Sequence, residues 1–600
     1  MKTNYLLKSL AAMLLVFFVT NLSAKDISVK RNGTDSDLAD ALEQAEAGDV
    51  LIIDGMIVFD APILIEKSVK FVGKAGDGSD FFYGQGLTQL FTIEPPEDEG
   101  GVVIFEQLGF AEAYNEGNGG AVLILGGTTE FLFCWFEDNY AADQGGAVFI
   151  NNDETVVRFA GCSASGNVAK VKGGFLWASK ADVSYEYCTI TNNRVIDGRG
   201  SAFFLEGGDH HFFYTVISGN VAGTDMDDHG EGGTIASVNV RTITMESCAV
   251  VNNIGYDHGT AFFTMGAGAN ITLINTTVSN NYTKRGAGCW FLATDDLDLT
   301  LVNTIYADNK SDDNRGNGGG GIRVMNLNNR INVFNSIIIR NFCHFASPDN
   351  PEFGAVDFRF DGKPGIMNDL VFKNSIVGLL SNAPAEDIPA AQDNPDIAQK
   401  SLINMYRLGE EESQRDYAEF DESGVSFEKG LRTTKSFKMR YLALIDNTVA
   451  AAKLGDPALL GEYDRTDFDQ LLVPRTVTGG AIFAGPVQGV LEGEDYDDTG
   501  WEDQIESIYG EGTGIKTLPA KKADIRIIGV AANGILGVDF GDLKGRAKGT
   551  LINIAGQEVE KVFDLYVNSK GYYNIHAAPG MYILKVEIGG ETYAKKLIVK

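Results

Sequence analysis

Between Cys134 and Ser336 apolar residues fall at alternate positions in short runs, and each run carries the same punctuation. A small residue stands first: Cys134, Cys162, Cys188, Thr215, Cys248, Thr276, Thr304 and Ser336. An apolar or small residue follows two positions on (Phe136, Ala164, Ile190, Ile217, Val250, Val278, Tyr306, Ile338), the alternation of a strand with one face inward. Five positions after each small residue comes an asparagine: Asn139, Asn167, Asn193, Asn220, Asn253, Asn281, Asn309 and Asn341. A turn follows, and a Gly pair (Gly119-Gly120, Gly145-Gly146, Gly173-Gly174, Gly232-Gly233) opens the next apolar strand where positive φ or close approach is needed. Successive asparagines lie 28, 26, 27, 33, 28, 28 and 32 residues apart. A fixed offset inside a loose period predicts stacked coils, here three short strands and three turns each, with Asn tolerating the turn conformation and bonding to the Asn of the next coil.

The flanks carry other patterns. Asp35 to Ala47 has Leu38, Ala41, Leu42 and Ala45 on one helical face, with Asp35 or Ser36 as N-cap. Val50–Ile53, Met56–Phe59, Ile63–Ile65 and Val69–Val72 read as strands, and the helix would cover the open end of their stack. The last ladder residue is Ser375, and coils are expected to end there or by residue 400. Residues 491–521 form an acidic linker, and residues 522–600 hold short alternating strands at 525–528, 535–538, 549–554, 572–575, 580–586 and 592–599, the pattern of an immunoglobulin-like sandwich. The expected fold is thus all-β: a right-handed parallel β-helix with an N-terminal helical cap, then a small sandwich. Its parts are 1–24 (leader), 25–115 (cap and first coils), 116–400 (β-helix), 401–490 (C-terminal cap region), 491–521 (linker) and 522–600 (sandwich).

Composition narrows this. A leucine-rich or helical repeat fails, because Gly, Asn, Phe, Val and Thr dominate the coils. Gly is 71 of 600 residues, well above the usual ~7%. The net charge of -33 excludes nucleic acid as a partner, and an acidic polysaccharide would need bound cations or a local basic patch. Lys2 and Lys8, the apolar run Leu10 to Val19 and the small residues Ser23-Ala24 read as a cleaved secretory leader, with no other segment apolar enough to span a membrane. Four of the six cysteines occupy the small-residue column, where Thr and Ser serve equally, which predicts buried free thiols.

Several stretches resemble known families. GGAV, GGFL and GGTI with FEDN, ITNN and VSNN resemble the repeats of polymorphic outer-membrane β-helix proteins, and the run from Ala41 to Lys74 resembles the opening of pectate-lyase-like β-helices. Thr466-Asp467, Arg475 and Gly480-Ala481 resemble the close of a choice-of-anchor β-helix domain, which implies a cap over the end of the solenoid; Gln470 stands where Gly is usual. Gly556-Gln557-Glu558-Val559, Gly580-Met581-Tyr582-Ile583 and the terminal Lys595 to Lys600 resemble the C-terminal sorting domain of type IX secretion cargo, without its Pro-Asn-Pro opening. That resemblance implies a member of the Bacteroidota, the type IX machinery as a partner, and a surface-attached or released product.

Chemistry is expected on the edge between each Asn and its Gly pair. Stacking would align Asp197, Arg199, Asp228, His229, Asp257, His258, Lys284, Arg285, Asp313 and Arg315 there, with enlarged turns at 221–231 and 310–317. A polysaccharide lyase would use Asp225, Asp227 and Asp312 on Ca²⁺, a base among His258, Lys284 and Arg285, and Asp228 beside them. A glycosidase would need two carboxyl groups suitably spaced. No lyase or hydrolase motif is present, and charged residues are also what solvated turns contain. Adjacent aromatics such as Phe203-Phe204, Phe262-Phe263 and Trp290-Phe291 put some rings outward, where sugars could stack. Three readings follow: a surface-displayed binder of glycan or protein (adhesin-like), a Ca²⁺-dependent lyase or glycoside hydrolase, and a structural surface-layer component.

Overall fold

The computed structural model describes residues 24–343 apart from 96–100, 224–231, 285–287, 312–320, 326–328 and 340. Beyond these it describes separate stretches between 354 and 487 and between 526 and 599. The leader and the acidic linker lie outside the described residues.

A β-solenoid of about ten turns forms the body of the protein, and its coils have four strands, not three. One coil runs Val156–Ala160, Ser163–Ser165, Val168–Ala169 and Leu176–Ser179, each strand pairing in parallel with its counterparts one coil away. The unexpected strand is the two-residue one after the Asn. Two residues are too few to show alternation, so the sequence reads as turn. These strands stack into a first, second, third and fourth sheet in chain order. Parallel pairing continues past residue 400, through Leu402–Ile403, Tyr406–Arg407 and Ala418–Glu419.

Two buried polar columns fix the corners. At the second corner every ladder Asn from Asn139 to Asn341 is fully buried. The Asn193 Nδ2 donates to Asn220 Oδ1 (3.0 Å) and to the Ala164 carbonyl one coil back (3.1 Å), and its backbone N–H donates to the same Asn220 Oδ1 (2.9 Å). The pattern repeats from Asn139 to Asn309. At the first corner the small residue donates its S–H or O–H to a carbonyl of the previous coil: Cys134 to Phe105, Cys162 to Phe131, Thr215 to Tyr185, Thr304 to Leu273 and Ser375 to Val333. A short side chain with one donor is what that column requires, so Cys, Thr and Ser interchange. Cys134, Cys162, Cys188, Cys248 and Cys289 are free and buried, and burial pushes the Cys162 and Cys188 thiols well up.

Positive φ occurs at the Gly pairs as expected (Gly119, Gly145, Gly173 and Gly233), and at the two column corners it sits one residue before the column, not on the ladder Asn itself. Asp138, Asn192, Asn252, Asn280 and Asp308 precede the Asn column, and Phe133, Tyr187, Tyr214, Ser247, Asn275, Asn303 and Asn335 precede the small one. The left-handed residue makes the corner, and the next side chain is thereby turned inward. Inside, rings stack coil upon coil from Phe71 through Phe105, Phe131, Phe159 and Tyr185 to Phe212, with centroids 4.5–5.4 Å apart.

The ends differ in detail from expectation. Helix α1, Asp35–Gln44, is capped by Thr34, not Asp35 or Ser36, in a reciprocal box with Asp37. Leu38, Ala41 and Leu42 on its face join the core, and Lys67 Nζ donates to the carbonyls of Leu42, Glu43 and Ala45 at its end. At the other end, Arg526–Val530, Ile535–Asp539 and Lys570–Asn574 form one antiparallel sheet, and Gly545–Asn553, Glu558–Val567, Gly580–Ile588 and Glu591–Val599 another, around one core including Leu536, Phe563 and Leu584. The strand Glu558–Val567 was hidden by its charged residues.

The segment expected to close the solenoid end lies along its flank instead. Leu471 and Leu472 pack on Phe213, Tyr214, Val216, Ala249 and Val251, at the second sheet and the corner before it. Gln470 Nε2 donates to the Cys248 carbonyl (2.8 Å), and Thr277 Oγ1 donates to Gln470 Oε1 (2.6 Å). Arg475 is buried, donating to the carbonyls of Phe468, Gly485 and Pro486 and to Asn275 Oδ1, and burial pulls its pKa down to about 10. The cause is readable on the sheet. Its outward positions are Ser163, Ser165, Thr189 and Thr191 in earlier coils, but Val216, Ala249, Val251, Ile305 and Ile337 later. An apolar face needs cover.

Replacing a central ladder residue, Asn253→Ala, removes the acceptor for Asn220 Nδ2 and Asn220 N–H and frees the Ile217 carbonyl. With buried orphans costing about 1–3 kcal/mol each, the loss should be about 3 kcal/mol or more. A denaturant midpoint unchanged from wild type would contradict the role given to the column.

Candidate functional site

The edge singled out in the sequence lies between the third and fourth sheets, and its members fall into two groups. Asp197, Arg199, Asp257, His258 and Lys284 are described; Asp225, Asp227, Asp228, His229, Arg285, Asp312, Asp313 and Arg315 lie outside the described residues. Among the described residues no three His, Cys, Asp or Glu side chains gather as a metal site would require.

The turn backbone is itself stacked: Gln144, Lys172 and Arg199 form successive parallel bridges, and Gly145 N–H donates to the Lys172 carbonyl (2.8 Å). Side chains at these positions reach over the outer face of the fourth sheet, where the outward column reads Phe149, Trp177, Phe204, Ala236, Phe263 and Phe291. Those residues form a cluster separate from the main core. Phe149 and Trp177 stack at 4.3 Å, and Phe263 and Phe291 at 5.4 Å.

The rings are not open platforms for sugar. None of the five is more than 7% exposed, and cationic side chains lie on Phe204, Phe263 and Phe291. Lys172 Nζ is 4.5 Å from the Phe204 centroid, and Arg199 Cζ 4.7 Å from that of Phe263. His258 stacks on Phe291 at 4.7 Å, and Arg323, next in the same column, lies 5.8 Å from that ring. Arg199 and His258 are thus brought over adjacent stacked rings. Asp257 accepts from the His258 backbone N–H (3.1 Å), and its carboxylate lies 3.5 Å from the imidazole. Burial lowers the pKa of Arg199 from the usual guanidinium value. Aliphatic stems and flat guanidinium groups cover apolar rings while their charge stays at the rim. Asp197 donates its backbone N–H to the Lys170 carbonyl, and Lys284 donates its own to that of Gly255, so each is held by the coil frame.

Sequence reasoning missed a second charged strip, on the outer face of the first sheet. Arg158 donates to both oxygens of Glu186 (Nε–Oε1 3.1 Å, Nη2–Oε2 2.9 Å). His211 Nε2 lies 3.0 Å from Glu246 Oε1, and Arg241 bonds both Asp182 and Asp209. These pairs join strands 28 to 59 residues apart, a relation the asparagine spacing would have supplied had outward positions been aligned as well. The neighbouring His210 points the other way and is fully buried, with Nε2 3.0 Å from the Gly207 carbonyl.

No protein-family model matches the chain, and no curated protein does. A similar solved structure is a mutant of the PL6 family alginate lyase AlyGC, at 12% identity over 62% of this chain and 54% of that one, with a TM-score of 0.28. The chain spans about half the length of that protein.

Burial lowers the His210 pKa from 6.5 to about 4. In the unfolded chain this group binds a proton below about pH 6.5, whereas the folded protein resists it until about pH 4. Stability should therefore fall by about 3 kcal/mol as pH drops through that window, and be flat above it, as far as this group is concerned. In His210→Gln that part of the pH dependence should vanish from the denaturation profile; an unchanged slope would exclude His210 as its source.

Proposed function

We propose that the protein is exported and surface-attached, and binds acidic glycan along the edge between its third and fourth sheets, an adhesin-like role. One observation carries the reading: in a chain of net charge -33, Lys172, Arg199 and Arg323 are fixed over one aromatic column beside His258. This is the local basic patch that an acidic polysaccharide demands of so acidic a protein. The cations are held by the rings beneath them, so little side-chain freedom is lost on binding. The coil repeat sets them along a line, as a linear polyanion requires. Residues 1–24 serve export as a leader, and residues 522–600 serve as the sorting domain for type IX secretion, which places the source among the Bacteroidota.

The test keeps the rings covered. In the mature full chain, Lys172→Met with Arg199→Met retains apolar lids over Phe204 and Phe263 while removing two charges. Affinity for polygalacturonate or alginate, measured by calorimetry, should fall about thirtyfold, as loss of two ~1 kcal/mol contacts implies. Its salt dependence should weaken as well. Binding equal to wild type at low salt would refute the assignment.

A further inference from the structure

We infer that the corner between the first and second sheets, at Phe133 and Tyr187, is a carbohydrate subsite that stacks sugar rings. It lies on a different face from the cation row and shares with it only the ligand class.

The argument begins with the backbone. The corner position before each small residue requires positive φ, and the coils fill it with Gly161, Ser247, Asn275, Asn303 and Asn335, residues that tolerate or soften that conformation. Three coils instead place aromatic rings there: Phe133 (φ 54°), Tyr187 (φ 54°) and Tyr214 (φ 47°). A bulky side chain at positive φ is an outlier, and such strain is kept where something else depends on it. For Tyr214 that something is packing: it is 5% exposed beneath Leu471 and Leu472. Phe133 and Tyr187 gain far less from packing, being 63% and 44% exposed. The strain at these two positions is therefore held with only partial burial in exchange.

Their placement suits a chain of sugars. Phe133, Gly161 and Tyr187 are consecutive at the corner, since Phe133 N–H donates to the Ala160 carbonyl and Gly161 N–H to that of Glu186. The missing side chain at Gly161 leaves room for the Phe133 ring, which a Cβ there would meet at 2.5 Å. Tyr187 leans the same way, edge-on to Phe213 at 5.2 Å and against Tyr214 at 5.4 Å. Both rings lean one coil onward, so the two-coil separation of their backbones, roughly 10 Å, carries over to the rings. That is about the span of a disaccharide. Alongside, the Arg158–Glu186 pair is about one-third exposed, and His211 stands beyond it on Glu246. Flat apolar rings flanked by polar groups already fixed in place match a sugar, which has an apolar face and a rim of hydroxyls.

Glycine is the residue this corner prefers, so Phe133→Gly and Tyr187→Gly should remove the rings without harming the fold. Calorimetric titration of the mature full chain uses four probes: xyloglucan, mixed-linkage β-glucan, polygalacturonate and alginate. The double variant is expected to lose at least tenfold in affinity for one or more probes, with its melting temperature level or raised. Should it melt lower, Tyr187→Trp decides: a larger exposed ring tightens binding if the corner stacks sugar, and unchanged or weaker binding overturns the inference. Wild-type affinity retained for every probe, or no probe bound by wild type, overturns it too. The Lys172→Met, Arg199→Met variant separates the two sites. If it alone weakens binding, the corner inference fails and the cation row stands; if the corner variant alone does, the reverse holds.

Discussion

Everything in this solenoid depends on satisfying a buried amide at every turn. A coil that bends inward at a tight corner would bury polar backbone groups beside an apolar core. The Asn column answers that with a side chain that is both donor and acceptor. Each interior rung takes two hydrogen bonds on its oxygen from the coil before and gives two, from its backbone N–H and its Nδ2, to the coil after. The bonds from Asn to Asn all run one way along the axis, while each Nδ2 also reaches back to a carbonyl of the coil before, so every rung is tied to both neighbours. The small-residue column does the same work more cheaply, with one donor per coil and no partner in its own column required.

With both corners fixed, the outer faces were free to diverge. The first sheet carries ion pairs between coils, and the second turns apolar from Val216 onward and is covered by Leu471 and Leu472. The fourth bears an aromatic column roofed by Lys172, Arg199 and His258. Interior geometry is thus uniform while exterior chemistry varies, the arrangement expected where a scaffold presents ligand-binding surfaces.

Much of the scaffold was legible in the sequence because its constraints are strict. Only a few residues can fill a buried rung, so Asn193 or Cys162 announces itself by spacing alone. The two-residue third strand was not legible, since Val168–Ala169 is too short to show a period. Positive φ at Gly119, Gly145, Gly173 and Gly233 was legible from the Gly pairs, but not that at the first two corners, where the eye goes to the repeated Asn and the left-handed position varies from Gly161 to Tyr187. Arg199 and His258 were picked out as edge residues, but their common aromatic support at Phe263 and Phe291 comes from outward strand positions of other coils. The flank-lying segment was misread as an end cap because Arg475 finds its partner at Asn275, 200 residues earlier, where no local pattern could point.

That long reach changes how the molecule must be assembled. Stacked coils need only their neighbours and can form as the chain emerges, from one end to the other. The flank at Val216, Ala249 and Val251 cannot be finished in that way, for its cover is among the last third of the chain to appear. Until then an oily stripe stands open on an otherwise completed rod. Such a stripe is a ready handhold for whatever escorts the chain, and a hazard if nothing does. Arg475, bonded to Asn275 on the coil and to Gly485 and Pro486 within the cover, pins that cover in place.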